Sequence, residues 1–224
     1  MEINYNLGIL VIVAYLLGSV PFGLLIAKSK GIDLRSVGSG NIGATNVGRA
    51  LGRKWAYLCF ILDALKGAVP MIIAGTLIDR PASTTDLWLW LLVGCTTVAG
   101  HIYPVYVRFK GGKGVATSLG MVLGLWPYFT VCGLICFVIW ALTLFKWKYV
   151  SLSSIIGAIS FPIVFAVEIL IKSPQWSFGR LWPLLTVAVL MAGLVVLTHR
   201  ENIARLKKGT ENKVFQKKND GDKK

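Results

Sequence analysis

Three polar segments of this chain carry residue types suited to phosphate chemistry. The first is V37-GSGNIGATNVGRALGRK, the second F109-KGGKGVATS, and the third T198-HRENIARLKKGTEN. All are rich in Gly, Asn, Ser, Thr and basic residues. Glycines let backbone N–H groups approach an anion closely. The second segment runs directly into an apolar stretch, whose helical N-terminus would add free amides and a favourable dipole. Lys110 and Lys113 flank its turn. That is the composition of a phosphate cradle, and by itself equally that of a flexible basic turn. The presence of the other two segments on the same side favours phosphate. His101 and His199 are the only histidines, so the search for a general base is short. His199 and Asn202 stand three apart and share a helical face, as a base or orienter would. His101, just before Pro104, reads as a packing or hydrogen-bonding residue at a helix end.

Two familiar motifs fail on context. Gly38, Gly40 and Gly43 match G-x-G-x-x-G, and Asp63 follows 20 residues after Gly43. A dinucleotide fingerprint must follow a strand and open a βαβ unit, whereas here an apolar span comes next. A nucleotide-binding P-loop needs Ser or Thr after its lysine, and Lys113 is followed by Gly114.

Composition fixes what must position these segments. Of 224 residues 55% are hydrophobic and only 15% charged, with a mean hydropathy of +0.66. A 24.5 kDa globule cannot bury so much apolar surface, and a disordered chain would lack it. The expectation is an all-α integral membrane protein. Apolar runs long enough, or nearly so, to span fall at 5–27, 54–77, 87–107, 114–127, 128–146, 149–171 and 182–198. The fourth is short. It reads as a tilted span, a re-entrant piece, or the first half of one helix with the fifth. Basic residues collect in cytoplasmic loops. With seven transmembrane helices, the N-terminus outside and the C-terminus cytoplasmic, 20 of the 24 Lys and Arg lie inside. Only Arg80, Lys172 and Arg180 lie outside, and Lys66 falls within a span. Six spans would expel the basic tail. The N-terminus carries Glu2 and no basic stretch, which argues against a signal peptide.

Residues 1–212 thus read as a single membrane domain, and 213–224 as a basic, disordered cytoplasmic tail resting on anionic lipid. The net charge of +14 belongs to the membrane surface and phosphate sites, not to nucleic acid. Asp63 and Lys66, three apart in the second span, read as a structural pair beneath the site. The four cysteines lie in apolar runs without a CxxC and read as packing residues; no metal site or cofactor is indicated.

The segments GSVPFG (18–23), GSGNIGATNVGRALGRK (38–54), LDALKG (62–67), GHIYPVYVRFKGGKGVATS (100–118), VSLSS (150–154) and HRENIARLKKGTEN (199–212) together resemble the bacterial acyl-phosphate:glycerol-3-phosphate acyltransferase family, in its order and over nearly the whole chain. The resemblance implies a cytoplasm-facing enzyme of the bacterial cell membrane. Such an enzyme moves a fatty acyl group from acyl phosphate to the 1-hydroxyl of glycerol 3-phosphate. The products are lysophosphatidic acid and phosphate, and the step opens phospholipid synthesis. Carried over by motif, Ser39, Asn41 and Arg49 would bind glycerol 3-phosphate. Lys110, Gly111, Gly112, Lys113, Gly114 and Thr117 would hold the acyl phosphate head. His199 and Asn202 would act on the acceptor hydroxyl, and Ser151 and Ser153 would complete the pocket unless they only cap a helix. No Ser-His-Asp order or reactive cysteine appears, so direct transfer is expected. Either His199 or the substrate phosphate could take the proton. Acyltransferases with His and Asp separated by four intervening residues differ from this chain, where the residue five after His101 is Tyr106 and five after His199 is Ala204. A transporter of a phosphorylated small molecule, the alternative, would need a continuous polar path through the spans.

Overall fold

The computed structural model describes residues 5–78 and 82–214, and these are helical with no strand. Arg80 and tail residues 215–224 lie outside that set. In chain order the helices are α1 (Tyr5–Gly18), α2 (Phe22–Lys28), α3 (Ala44–Leu51), α4 (Arg53–Thr76), α5 (Thr84–Ile102), α6 (Val115–Gly124), α7 (Thr130–Trp147), α8 (Val150–Ile171), α9 (Phe178–Thr198) and α10 (Arg200–Lys207). Six apolar segments are long enough to cross a membrane: α1 with α2, α4, α5 with the turn after it, α7, α8 and α9. Large side chains such as Ile12, Ile72, Val138 and Leu190 lie exposed on their outer faces, while Trp90, Phe129, Phe165 and Met71 fill the interior. Lipid solvates such an outer surface as water cannot.

Local sequence sets the breaks. Pro21 has no amide to donate, so the first span opens between α1 and α2. At this break the Val20 carbonyl accepts a bond from Lys66 Nζ at 2.8 Å. Ser83 and Asp86 form a reciprocal capping box that starts α5.

The fourth expected span is α6, ten residues or about 15 Å long, half the usual hydrocarbon thickness. It is separate from α7: residues 125–129 turn the chain, and Gly133 of α7 then packs beside Val122. Along α6, Thr117 meets Gly67 and Gly124 meets Met71, so α6 runs parallel to α4. A Cβ on Gly67 would strike the Thr117 carbonyl, and one on Gly120 the Ala64 carbonyl. Small residues thereby let the two backbones touch. His101 near Asp63, and Trp90 bonded to Met71, make α5 antiparallel to α4. So α5 reverses the direction of α4, and α6 that of α5.

At the end where α4 begins, a second, smaller apolar cluster (Ile26, Leu34, Ile42, Val47 and Cys59) pins the first polar segment over α2 and α4. The second and third polar segments open at this same end.

Candidate active site

Asn46 shapes the first segment. It is buried, donates through Nδ2 to the Leu34 and Val37 carbonyls at 3.0 Å each, and accepts the Ser39 N–H at 3.0 Å. Gly38 and Gly40 adopt φ of +62° and +66°, which a side chain would resist. Ser39 is left exposed, and Asn41 Oδ1 accepts the Gly43 N–H at 2.9 Å in a local turn. Arg49 stands exposed on α3, within electrostatic range of Glu211 and Arg205.

The second segment folds against the end of α5. The Gly111 and Gly112 amides donate to the Ile102 and His101 carbonyls at 3.1 Å each. These two amides are therefore spent on the fold. Their glycines serve close approach: a Cβ on Gly111 would hit the His101 carbonyl, and one on Gly112 the His101 ring. Gly114 takes the left-handed conformation at φ +79° and starts α6. The first amides of α6 have no partner within the helix. Thr117 is fully buried with an unpaired Oγ1. Lys110 is exposed, and its carbonyl accepts from Arg35 Nη2 at 2.8 Å, tying the first two segments together.

The third segment supplies the centre. His199 closes α9 and Asn202 faces the same way from α10; both are buried. Lys113 Nζ donates to Asn202 Oδ1. Asn202 Nδ2 donates to Glu211 Oε1 at 2.6 Å, Ser151 Oγ to the same oxygen at 2.8 Å, and Arg205 Nε to Glu211 Oε2 at 2.7 Å. One carboxylate, its side chain 5% exposed, thus gathers α8, α10 and the second polar segment. Burial alone would raise the Glu211 pKa, but the bonds from Asn202, Arg205 and Ser151 bring it below the usual range. The sequence reading passed over Glu211 and Asn46. Glu211 is one of two acids, with Glu201, in an otherwise basic third segment, and that contrast was the available signal for the former. Ser153 instead bonds back to the Tyr149 carbonyl of its own helix at 2.9 Å, and so stays out of this network. The chain continues past residue 212 onto the α7–α8 turn, where Val214 N–H donates to the Lys148 carbonyl at 2.8 Å.

Charge at the centre is tuned by burial. Lys113 is lowered to about 8, chiefly by burial; Glu211 opposes the shift and Arg205 adds to it. His199 is lowered to about 4 by burial and the neighbouring Lys113 charge. Its Nδ1 lies 2.8 Å from the Val195 carbonyl, which can only accept. The neutral ring therefore carries its proton on Nδ1 and keeps a lone pair on Nε2. Behind the second segment, Asp63 pairs with Lys66 at 2.9 Å, and His101 Nδ1 lies 3.7 Å from the same carboxylate.

A basic, Gly-rich site at one end of an apolar helix bundle has close counterparts. The glycerol-3-phosphate acyltransferase family model matches residues 8–209. The glycerol-3-phosphate acyltransferase of Geotalea daltonii is 47% identical over 93% of this chain and 97% of its own. That of Aquifex aeolicus is 46% identical over 91% and 97%. Crystal structures of PlsY (YgiH), an integral membrane glycerol 3-phosphate acyltransferase, superpose with TM-scores of 0.80 for the glycerol 3-phosphate form and 0.78 for the lysophosphatidic acid form. Their identities are 42% and 41%; the first covers 94% of this chain and all of the PlsY chain, the second 93% and 95%. Matched over almost its full length by family, relatives and fold, this chain belongs to the glycerol-3-phosphate acyltransferase family.

Proposed function

We propose that this acyltransferase draws its acyl group from a fatty acyl phosphate and places it directly on the 1-hydroxyl of sn-glycerol 3-phosphate. The products are lysophosphatidic acid and inorganic phosphate. Acyl transfer to glycerol 3-phosphate follows from the family. The carrying observation for the donor is the excess of cations at the site. Lys113, Arg205 and Arg49 surround one carboxylate, Glu211, where the polar segments meet. That surplus suits two phosphates held together, one on each substrate.

In this reading Ser39, Asn41 and Arg49 hold the acceptor phosphate. Lys110, Lys113, Thr117 and the first amides of α6 hold the donor head, with Gly111, Gly112 and Gly114 setting the loop's path. Asn202 aims Lys113, and Ser151 steadies Glu211. The acceptor oxygen bonds to the acyl carbon, the acyl C–O bond to phosphate breaks, and its electron pair leaves with the phosphate. Lys113 and the helix amides stabilise that growing charge. His199 accepts a hydrogen bond from the acceptor hydroxyl through Nε2. With a pKa of about 4 it is a weak base, so the hydroxyl proton ends on the departing phosphate dianion, the stronger base of the two. A mixed anhydride is already activated, so no protein nucleophile or cofactor is required.

The protein sits in the bacterial plasma membrane with its site on the cytoplasmic side. It crosses seven times, with α6 as a short fourth crossing, the N-terminus outside and the C-terminus inside. The test is donor choice. Purified protein in detergent receives glycerol 3-phosphate with acyl phosphate, acyl-CoA or acyl carrier protein in turn. Lysophosphatidic acid matched one-to-one by released phosphate, with acyl phosphate alone, is expected. Product from acyl-CoA without phosphate release overturns the donor assignment.

A further inference from the structure

Asp63, Lys66 and His101 lie behind the second polar segment and take no part in the chemistry above. They are 2%, 3% and 5% exposed. An ion pair inside a membrane span is costly, and replacing such a pair by apolar side chains is often no loss to stability. This one therefore calls for a use. Lys66 has its partners: its Nζ lies 2.9 Å from Asp63 Oδ1 and donates to the Val20 carbonyl at 2.8 Å. The His101 ring is held more loosely. Its Nδ1 is buried without a hydrogen bond and lies 3.7 Å from the same Asp63 oxygen. A carboxylate can only accept, so it draws the ring proton to Nδ1 and selects one of the two ring orientations.

The other edge of the ring meets the second segment. Nε2 faces Gly112, where a Cβ would strike it. The His101 carbonyl accepts the Gly112 N–H at 3.1 Å. Main chain and ring of one residue thus hold Gly112 from two sides. Gly112 precedes Lys113, whose Nζ is bonded to Asn202 at the centre of the site. A line of contacts therefore runs from the Val20 carbonyl, where the first span breaks, through Lys66, Asp63, His101 and Gly112 to Lys113.

We propose that Asp63 and His101 are positioning residues: Asp63 fixes the His101 ring, and the ring fixes Gly112 so that Lys113 meets the leaving phosphate. Both are buried behind the loop and act through it. A reacting group displaced by about 1 Å loses much of its effect, so the groups that lock it from behind matter to the rate. Packing alone would need neither the Asp63 charge nor a ring nitrogen, and leucine would serve as well. The proposal rests on the reading of Lys113 as the cation at the donor head.

The test uses His101→Leu, which keeps the bulk and leaves the Asp63–Lys66 pair intact, and Asp63→Asn, which keeps the shape and removes the charge. If Asp63→Asn strands Lys66 and fails to fold, His101→Leu decides alone. With palmitoyl phosphate as donor, kcat should fall about 3- to 10-fold in each, the range of one modest polar contact. The KM for glycerol 3-phosphate should stay within about 2-fold, because the first segment is untouched. The double variant should lose no more than the worse single, and His101→Leu should cost nothing further in a Lys113→Ala chain, since residues acting through one group do not add. Full kcat in His101→Leu, a loss confined to the glycerol 3-phosphate KM, or an equal further loss in Lys113→Ala overturns the proposal. Hydrogen exchange in the substrate-free protein provides a donor-independent arm. The Gly111 and Gly112 amides should exchange about 3- to 10-fold faster in His101→Leu, while the amides of α3 keep their wild-type rates. Normal turnover in Lys113→Ala itself would mark the failure of the reading of Lys113. The exchange arm then still decides whether His101 holds the loop: unchanged rates at Gly111 and Gly112 overturn it.

Discussion

Glu211 is the carboxylate on which three site donors converge, and its removal has a calculable consequence. Glu211→Gln keeps the volume and removes the charge. Three donors converge on the carboxylate: Ser151, Asn202 and Arg205, at 2.6 to 2.8 Å. A carboxamide offers one acceptor oxygen, and its NH2 group then faces a donor. At least one hydrogen bond to a charged group is lost, worth about 1.5–3 kcal/mol. At 1.4 kcal/mol per decade this predicts a fall in kcat/KM of about 10- to 150-fold. A second readout separates electrostatics from simple unfolding. Lys113 loses its proton as pH rises through about 8, so turnover should show an alkaline limb there. Glu211 is the largest influence raising that value; without it the charged form is less favoured and the limb moves to lower pH. The assay is kcat/KM against pH from 6 to 9.5 for wild type and Glu211→Gln in detergent, beside thermal melting. Ser151→Ala, which removes one neutral donor, should cost less than Glu211→Gln and leave the limb in place. Wild-type kcat/KM with an unmoved limb in Glu211→Gln would refute the network as the basis of the site.

In the proposed function the two cations divide between the substrates. Arg49→Ala should raise the KM for glycerol 3-phosphate about 10- to 150-fold and largely spare kcat, whereas Lys113→Ala should lower kcat, because leaving-group charge peaks in the transition state; an Arg49→Ala effect confined to the acyl phosphate KM would reverse the assignment. Gly112→Ala drives a Cβ into the His101 ring, an overpacking cost of about 1–3 kcal/mol, so activity should drop about 10-fold or more while His101→Ala in the same chain restores part of it; no rescue would mean that the loop fails for another reason. In a chain freed of its own cysteines, single cysteines at positions 40, 112 and 205 should resist a membrane-impermeant label applied to intact cells, and labelling of any one from outside would break the common face.

Much of the protein was legible before folding. Apolar runs longer than a globule can bury dictated helices in lipid, and six of the seven expected segments appear as long apolar helices within a few residues of their sequence limits. The segments GSGN, KGGKG and HREN carried the family, because residue type and local order suffice to recognise its motifs. The Asp63–Lys66 pair followed from helical spacing alone.

Other features depended on what approaches from elsewhere in the chain. Hydropathy could not distinguish a separate α6 from the opening of α7; its ten residues and its parallel run beside α4 follow from backbone contact at Gly67 and Gly120. The amides of Gly111 and Gly112 resembled an anion cradle in sequence, yet the end of α5 claims both. Asn46 and Glu211 looked like ordinary polar residues because their partners lie across loops: Leu34 and Val37 for the one, Ser151 and Arg205 for the other. The depressed pKa of His199 arises from burial and from Lys113, 86 positions earlier in the chain. Residue type and periodicity are local and can be read along a sequence. Desolvation, counter-charge and backbone contact are set by distances in space, and only the packed helices fix those.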